Sequence, residues 1–222
     1  MARAVVLLSG GMDSATALAV AKSNACSCFA LSIDYGQRHQ YELKAAESVV
    51  EHLGVLEHKI LHFDLTHFGG SALTDKAYPI PEKETPGIPI TYVPARNTIF
   101  FSLALAWCEV IDADYIYSGV NAVDYSGYPD CRPEYITAMQ ELVNLATKKT
   151  VEGNRILIKT PLIHLTKAEI ILLGQEKGVD FSKTVSCYQI TKEGRSCGVC
   201  DACRLRIQAF KEVQIEDKIN YV

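Results

Sequence analysis

The chain has 222 residues, 48% hydrophobic and 22% charged, long enough for one well-buried α/β core with a small appendage and unlike a disordered or fibrous chain. Its 22 Lys and Arg against 26 Asp and Glu leave a net charge of -4, so nothing draws it to nucleic acid as a whole and any anionic ligand must be held by local groups. Eight cysteines, four of them crowded near the end, fit a reducing cytoplasmic setting and a metal site better than a small secreted disulfide framework.

The opening MARAVVLL has the Arg and the apolar run of a signal peptide, but Gly10, Gly11 and Asp13 interrupt it, so no targeting segment is expected. No apolar stretch approaches a membrane span, and no membrane partner is expected. Residues 4–8 read as a buried parallel strand, a short apolar run stopped by Gly-Gly, and residues 14–22 as a helix. A second strand over 26–33 ends in Asp34-Tyr35-Gly36. Ala46, Val49, Val50 and Leu53 then share one face of a helix closed by Gly54. A third strand is expected over 58–63. Residues 64–94 lose periodicity, and closely spaced prolines (79, 81, 86 and 89) predict a long ordered loop or lid.

The helix starting near Pro94 is apolar nearly all round and is expected to be central. A fourth strand over 114–120 leads into the polar and aromatic segment NAVDYSGYPDCRPEY. Tyr135, Met139, Leu142, Val143 and Ala146 make an amphipathic stripe, followed by a fifth strand over 155–159. Thr166 and Glu169 form a capping box for a helix running to about residue 177, and a last helix is expected over 201–213. Alternating strands and helices predict an α/β fold with a doubly wound, mostly parallel five-stranded sheet.

In such a sheet the turn SGGMDS, residues 9–14, lies where ligands bind, beyond the carboxyl end of a strand and at a helix N-terminus. Its backbone N–H groups suit an anion, yet it carries Asp13 and no lysine. Walker A fails for want of that lysine, GxGxxG fails on spacing, and GxSxG fails because Ser9 precedes the glycines. The turn resembles instead the SGGxDS loop of the N-type ATP pyrophosphatases, matched by Ser9, Gly10, Gly11, Asp13 and Ser14 without a gap. The resemblance implies that ATP is cleaved between its α and β phosphates. Leu8, Met12 and the motif residues would hold the leaving pyrophosphate, and Mg²⁺ would bridge it to Asp13. Adenine is then expected near Ser32, Ile33, Asp34 and Tyr35. The plain alternative is a tight turn with Asp13 or Ser14 as N-cap, but a cap needs neither the glycine pair nor the flanking serines.

Cys187, Cys197, Cys200 and Cys203 are spaced C-x9-C-x2-C-x2-C. Four thiolates complete a closed tetrahedral Zn²⁺ shell, a structural site expected to pin Tyr188 and the last helix against the mouth of the sheet. An iron–sulfur cluster is the rival, since CxxCxxC opens the ferredoxin run, although the fourth cysteine here lies upstream and no Cys-Pro follows. Cys26, Cys28 and Cys108 read as small buried hydrophobes.

With both motifs in one chain, and with SIDYGQRH (32–39), YVPARNTIF (92–100), SGVNAVDYSGYPDCRPEY (118–135) and IKTPLIHLTKAEI (158–170), the sequence resembles the 7-cyano-7-deazaguanine synthases over essentially its whole length. These are the QueC or ExsB branch of the pyrophosphate-loop enzymes. The resemblance implies an adenine nucleotide α-hydrolase-like domain over 1–180, with a zinc-binding helical segment over 181–222 packed on it. It further implies a cytoplasmic homodimer and a carbon–nitrogen ligase reaction. In that reaction 7-carboxy-7-deazaguanine, ammonia and ATP give the nitrile preQ0, AMP and pyrophosphate, on the path to queuosine or archaeosine.

Such chemistry needs charge stabilisation and positioning more than a covalent nucleophile. Arg96, Lys159 and Lys167 are the candidates for neutralising phosphate or carboxylate charge, although each alone reads as a solvated surface charge. His39 and His164 read as structural hydrogen-bonding groups. For a guanine-like ring, Asp124 or Asp130 can accept from its donor edge and Tyr125 or Tyr128 can cover a face, with turn chemistry as the competing reading. Two rivals stand beside this function. One is a tRNA-adenylating relative, for which the chain has no room for an RNA-binding domain; direct nucleic-acid contact is not expected. The other is a zinc-stapled binding module without turnover.

Overall fold

The structure is a computed structural model that describes residues 1–83, 87–123 and 127–222. Five parallel strands form its sheet: β1 (Arg3–Leu7), β2 (Ser27–Asp34), β3 (Glu57–His62), β4 (Tyr115–Tyr117) and β5 (Leu157–Lys159), in the order β3-β2-β1-β4-β5. The chain builds outward from β1 to β3, crosses back, and builds the other way through β4 and β5. The reversal leaves a crevice between β1 and β4, the place where an open α/β sheet takes ligands.

Continuous apolar character places β1 at the centre because both of its faces are covered. Val5 packs in one cluster with Leu31, Phe101, Ala104 and Ile116, while Ala4 and Val6 pack in the other with Ala15, Leu18 and Ala46. Helices α1 (Met12–Ser23) and α2 (Tyr41–Leu53) supply the second face; α3 (Arg96–Val110) and α4 (Pro133–Ala146) supply the first. A short α5 (Lys148–Val151) precedes β5. Then α6 (Lys167–Glu176) packs on α1, and α7 (Asp201–Glu212) packs on α6.

Most of the predicted elements appear with shifted ends. The capping box of α6 is complete: the Glu169 N–H donates to Thr166 Oγ1 at 3.2 Å, and the Thr166 N–H to Glu169 Oε2 at 2.8 Å. Gly54 closes α2 at φ +76°. The expected fourth strand is cut to three residues because Gly119 leaves it to pack against α1, where a Cβ would lie 2.7 Å from the carbonyl carbon of Asp13. The helix expected to be central, α3, covers one sheet face instead. Thr98, Ser102, Ala106 and Glu109 are exposed along its outer side. Leu142 of the α4 stripe is likewise exposed, since Met139 and Val143 are the pair turned to the core.

Arg38 is one of several side chains that tie down the described part of 64–94, with Gln189 on the Ile80 carbonyl, Arg204 on that of Glu82 and Tyr128 on Thr91. Arg38 donates to the carbonyls of Ala72 (2.5 Å), Asp75 (3.1 Å) and Tyr78. No helix among the described residues is long and apolar enough to cross a membrane.

Candidate active site

A cavity of about 240 Å³ opens at the crevice, walled by the carboxyl ends of β1 and β2, the residues after β4, the first turns of α1, α2, α3 and α6, and the segment around Ser186. Leu8, Ser9, Gly11, Met12, Asp13 and Ser14 all line it. Gly10 does not; it lets the loop press against α2. Its φ is +83°, and a Cβ there would sit 2.1 Å from the Glu42 carbonyl oxygen and 2.7 Å from the Ala46 nitrogen.

The two serines shape the loop from within. Ser9 Oγ and Ser14 Oγ are 3.1 Å apart, the Ser9 N–H donates to Ser14 Oγ at 3.2 Å, the Gly11 N–H to Ser9 Oγ at 3.3 Å, and Ser14 Oγ to the Gly11 carbonyl at 3.0 Å. No side chain caps α1, so its first N–H groups keep their positive end toward the cavity. Asp13 is held at 2.7 Å by Lys167 Nζ through Oδ2, while its buried Oδ1 has no hydrogen-bond partner. An orphaned carboxylate oxygen beside an uncapped helix end is a place for a cation that itself carries an anion.

Lys167 and Arg96 are the first residues of α6 and α3. A cation at a helix N-terminus opposes the macrodipole by about 0.3–1 kcal/mol, so helix stability does not explain either one; both line the cavity. Asn121 fixes the approach to Lys167 by donating from Nδ2 to the carbonyls of Leu162 (2.8 Å) and Leu165 (2.6 Å). Arg96 follows Ala95 at φ +54°, a conformation that costs a non-glycine residue about 1–2 kcal/mol, and its guanidinium lies 5.8 Å from the Tyr35 ring centre and 6.0 Å from that of Phe100. Burial weakens its charge, but Tyr35, Tyr128, Asp130 and Cys131 around it outweigh that and raise its pKa. Lys159 is not brought to this cavity. It is exposed beyond β4, with its ammonium 5.6 Å from the Tyr115 ring centre.

Strand alternation divides the four residues expected around adenine. Ile33 and Tyr35, with Leu31, face the cavity; Ser32 turns away to donate to the Leu8 carbonyl at 2.6 Å, and Asp34 meets His62 Nδ1 at 3.1 Å. Of the four residues proposed for a purine-like ring, Asp124 and Tyr125 lie outside the described residues. Tyr128 lines the cavity with its hydroxyl 2.8 Å from Thr91 Oγ1. Asp130 serves the start of α3, accepting the Asn97 N–H at 3.0 Å, and is not part of the wall.

Three wall residues carry no motif of their own in the sequence. Gln37 anchors its Oε1 on the Tyr35 N–H at 2.9 Å and leaves a buried Nε2 without a partner; Ser186 Oγ is buried and unpartnered too. Glu42 stands in the first turn of α2, and burial, opposed by Arg96, pushes its carboxyl up to about 7. Burial likewise lifts Tyr35 to about 12 and the Cys131 thiol to about 11. Gln37 belongs to the SIDYGQRH stretch, the one sequence signal that could have found it. Glu42 and Ser186 look like ordinary surface residues.

The cysteine segment forms one side of the mouth. The Val185 N–H donates to the Gly10 carbonyl at 2.9 Å, His39 Nε2 to that of Cys187 at 2.9 Å, and the Tyr41 hydroxyl to that of Lys192 at 2.7 Å. Sulfurs of Cys187, Cys197, Cys200 and Cys203 all lie within 4.8 Å of one another, with Cys197 and Cys203 at 3.9 Å. Four thiolates around one zinc at about 2.3 Å are spaced about 3.8 Å apart, so the set fits a single zinc ion. A cubane, whose cysteines each bind a different iron, needs them spread wider. Backbone N–H groups of Gln189 and Cys197 already donate to Cys187 Sγ, both at 3.2 Å, as they would to a thiolate.

Comparison with known proteins agrees with this geometry. The family model described as "Queuosine biosynthesis protein QueC" matches residues 3–214. Proteins named 7-cyano-7-deazaguanine synthase are 58% identical in Saccharophagus degradans (99% of this chain, 97% of that protein), 57% in Pseudomonas aeruginosa (99% and 98%) and 56% in Coxiella burnetii (100% and 99%). Among solved structures, a predicted subunit of tRNA methyltransferase from Methanocaldococcus jannaschii has a TM-score of 0.52 at 20% identity (79% of this chain, 76% of that one). NMN synthetase from Francisella tularensis has 0.51 at 17% (97% and 78%), and both likenesses concern the fold alone. A sheet reversal with an SGGMDS turn at its crevice, a four-cysteine cluster closing the mouth, and full-length identity above one half place the chain in the QueC family of queuosine biosynthesis proteins.

Proposed function

We propose that the chain makes 7-cyano-7-deazaguanine from 7-carboxy-7-deazaguanine, ammonia and ATP, releasing AMP and pyrophosphate. The observation that carries this reading is the loop 9–14 lying at the crevice with its helix end uncapped and Asp13 Oδ1 orphaned beside it. A carboxylate resists an amine because it is anionic and would have to expel oxide. Joined to AMP it becomes an acyl adenylate, which ammonia converts to an amide; a second adenylation on the amide oxygen lets AMP depart again and leaves the nitrile.

In this scheme the loop N–H groups and the α1 terminus hold the diphosphate. Asp13 would hold Mg²⁺ through its unpartnered oxygen, and the ion would supply Lewis-acid neutralisation of phosphate charge. Lys167 and Arg96 stabilise the charge that builds on the departing groups. Leu31, Ile33 and Tyr35 offer an apolar shelf to adenine, and Tyr128 and Tyr188 offer faces to the second ring. Zinc on the four cysteines would hold residues 181–222 as a segment distinct from the nucleotide domain of 1–180 and packed upon it. The acid substrate's polar groups meet Gln37 Nε2 and Ser186 Oγ, whose lack of partners supports a ligand contact.

Purified protein incubated with the acid, ammonium, ATP and Mg²⁺ yields nitrile, AMP and pyrophosphate; formation of ADP, or no turnover, refutes the assignment. Asp13→Asn abolishes AMP release without lowering Tm, and unchanged activity would remove the metal bridge. Light scattering tests the homodimer that the family implies.

A further inference from the structure

We propose that Glu42 is the proton acceptor of the amination and of nitrile formation. This role rests on the reaction assigned above and adds the group that the reaction requires. When ammonia attacks the acyl adenylate, a C–N bond forms, the C–O bond to AMP breaks with its electron pair leaving on AMP, and the nitrogen must lose a proton to become a neutral amide. In the second half the amide oxygen takes the AMP group from ATP, expelling pyrophosphate. The C–O bond then breaks toward AMP, and the two remaining N–H protons leave as the C≡N bond forms. A base inside the cavity is needed at each of these losses.

Elimination within the wall points to one side chain. No histidine is among the described residues lining the cavity. Arg96 and Lys167 are cations, and Asp13 is spent on Lys167 through one oxygen. Tyr35, Tyr128 and Tyr188 are phenols, a class scarcely ionised at neutral pH, and burial raises Tyr35, Tyr128 and Cys131 further. Glu42 remains. It lines the cavity, its carboxyl within electrostatic reach of Arg96, and that carboxyl accepts no hydrogen bond from any described residue, so its lone pairs are not committed to structure.

Its position is fixed from the nucleotide side, because the Glu42 carbonyl packs against Gly10 of the loop. The other charged or titratable groups around the cavity are Asp13 on α1, Tyr35 after β2, Arg96 on α3, Tyr128, Cys131, Lys167 on α6 and Tyr188. Of these Arg96 acts directly on Glu42, opposing the burial that lifts its carboxyl to about 7. A base in that range accepts a proton at neutral pH and returns it readily to water.

The test separates adenylation from proton transfer. Glu42→Gln keeps the acid-dependent exchange of pyrophosphate into ATP measured without ammonium, and lowers the rate of nitrile formation by about 10²–10⁴-fold. The wild-type chain is expected to lose kcat as pH falls through about 7; that loss disappears in this variant, and Glu42→Asp restores part of the rate. Hydroxylamine, whose adduct nitrogen is acidic enough to give up its proton to water, still forms hydroxamate with Glu42→Gln. Nitrile formation unchanged in Glu42→Gln overturns the role, as does exchange lost in proportion to nitrile, which would make Glu42 a positioning group. A wild-type chain that exchanges pyrophosphate but makes no nitrile refutes the assigned reaction instead, and the proton role falls with it.

Discussion

Gly10→Ala tests whether the loop must press on α2. The added Cβ would lie 2.1 Å from the Glu42 carbonyl oxygen, 2.7 Å from the Ala46 nitrogen and 3.0 Å from Ala45 Cβ, all of them backbone or close to it and unable to swing aside. Contacts of this kind relax at about 3.5 Å, so loop and helix must part by roughly 1 Å or more. A displacement of that size in a site that works by positioning costs about 10²-fold in rate, and the left-handed φ of +83° adds about 1–2 kcal/mol of instability on its own. Gly153→Ala is the control: its φ is +91° and no atom lies within 4 Å of the new Cβ, so it carries the backbone cost without the clash. The assay is nitrile formation alongside Tm for both variants. Gly10→Ala with wild-type turnover, or with no greater loss than Gly153→Ala, would refute the argument that this glycine sets the distance between loop and Glu42.

Cys200→Ser takes one ligand from the proposed zinc site, and metal analysis should show zinc lost together with a lower Tm; a Tm unchanged on chelation would contradict a structural ion. Arg206, 1% exposed, pairs with Asp217 at 2.8 and 2.9 Å and donates to Thr184 Oγ1 at 2.8 Å and the Phe181 carbonyl at 2.9 Å. Arg206→Ala strands a buried carboxylate and should cost about 3–5 kcal/mol in denaturant unfolding, with the double variant Arg206→Met, Asp217→Leu costing less because neither charge is left behind. Glu42 gives a stability signature separate from catalysis. Because folding raises its pKa above the unfolded value, its contribution is favourable below about pH 4 and lost as pH rises toward 7. Glu42→Gln should therefore melt higher than wild type at pH 8 and level with it near pH 4, and equal Tm at both would show that the carboxylate is not destabilised in the fold.

How far the site could be read in the chain differs residue by residue. SGGMDS announced its own geometry, because a glycine pair between serines at a strand end has few uses. The spacing of Cys197, Cys200 and Cys203 implied a common focus. Lys167 and Arg96 were readable as helix starts, but their convergence was not, since 71 positions separate them and only the sheet order brings α3 and α6 to one crevice. Lys159 carries the same charge and stays outside, on an edge strand. Asp130 shows the same limit from the other side: a carboxylate in a polar loop reads as ligand-binding until the Asn97 N–H is seen to take it.

The order of strands and helices, the glycine turn and the cysteine set were determined by local pattern, because apolar periodicity, turn residues and thiol spacing each act over a few positions. Which groups share the cavity was decided only in three dimensions. Glu42 is one more acidic residue in a helix's first turn until α2 is laid against Gly10, and Ser186 is an unremarkable serine until Val185 binds the loop. Burial and proximity give these side chains their chemistry, and both depend on contacts between residues far apart in the chain.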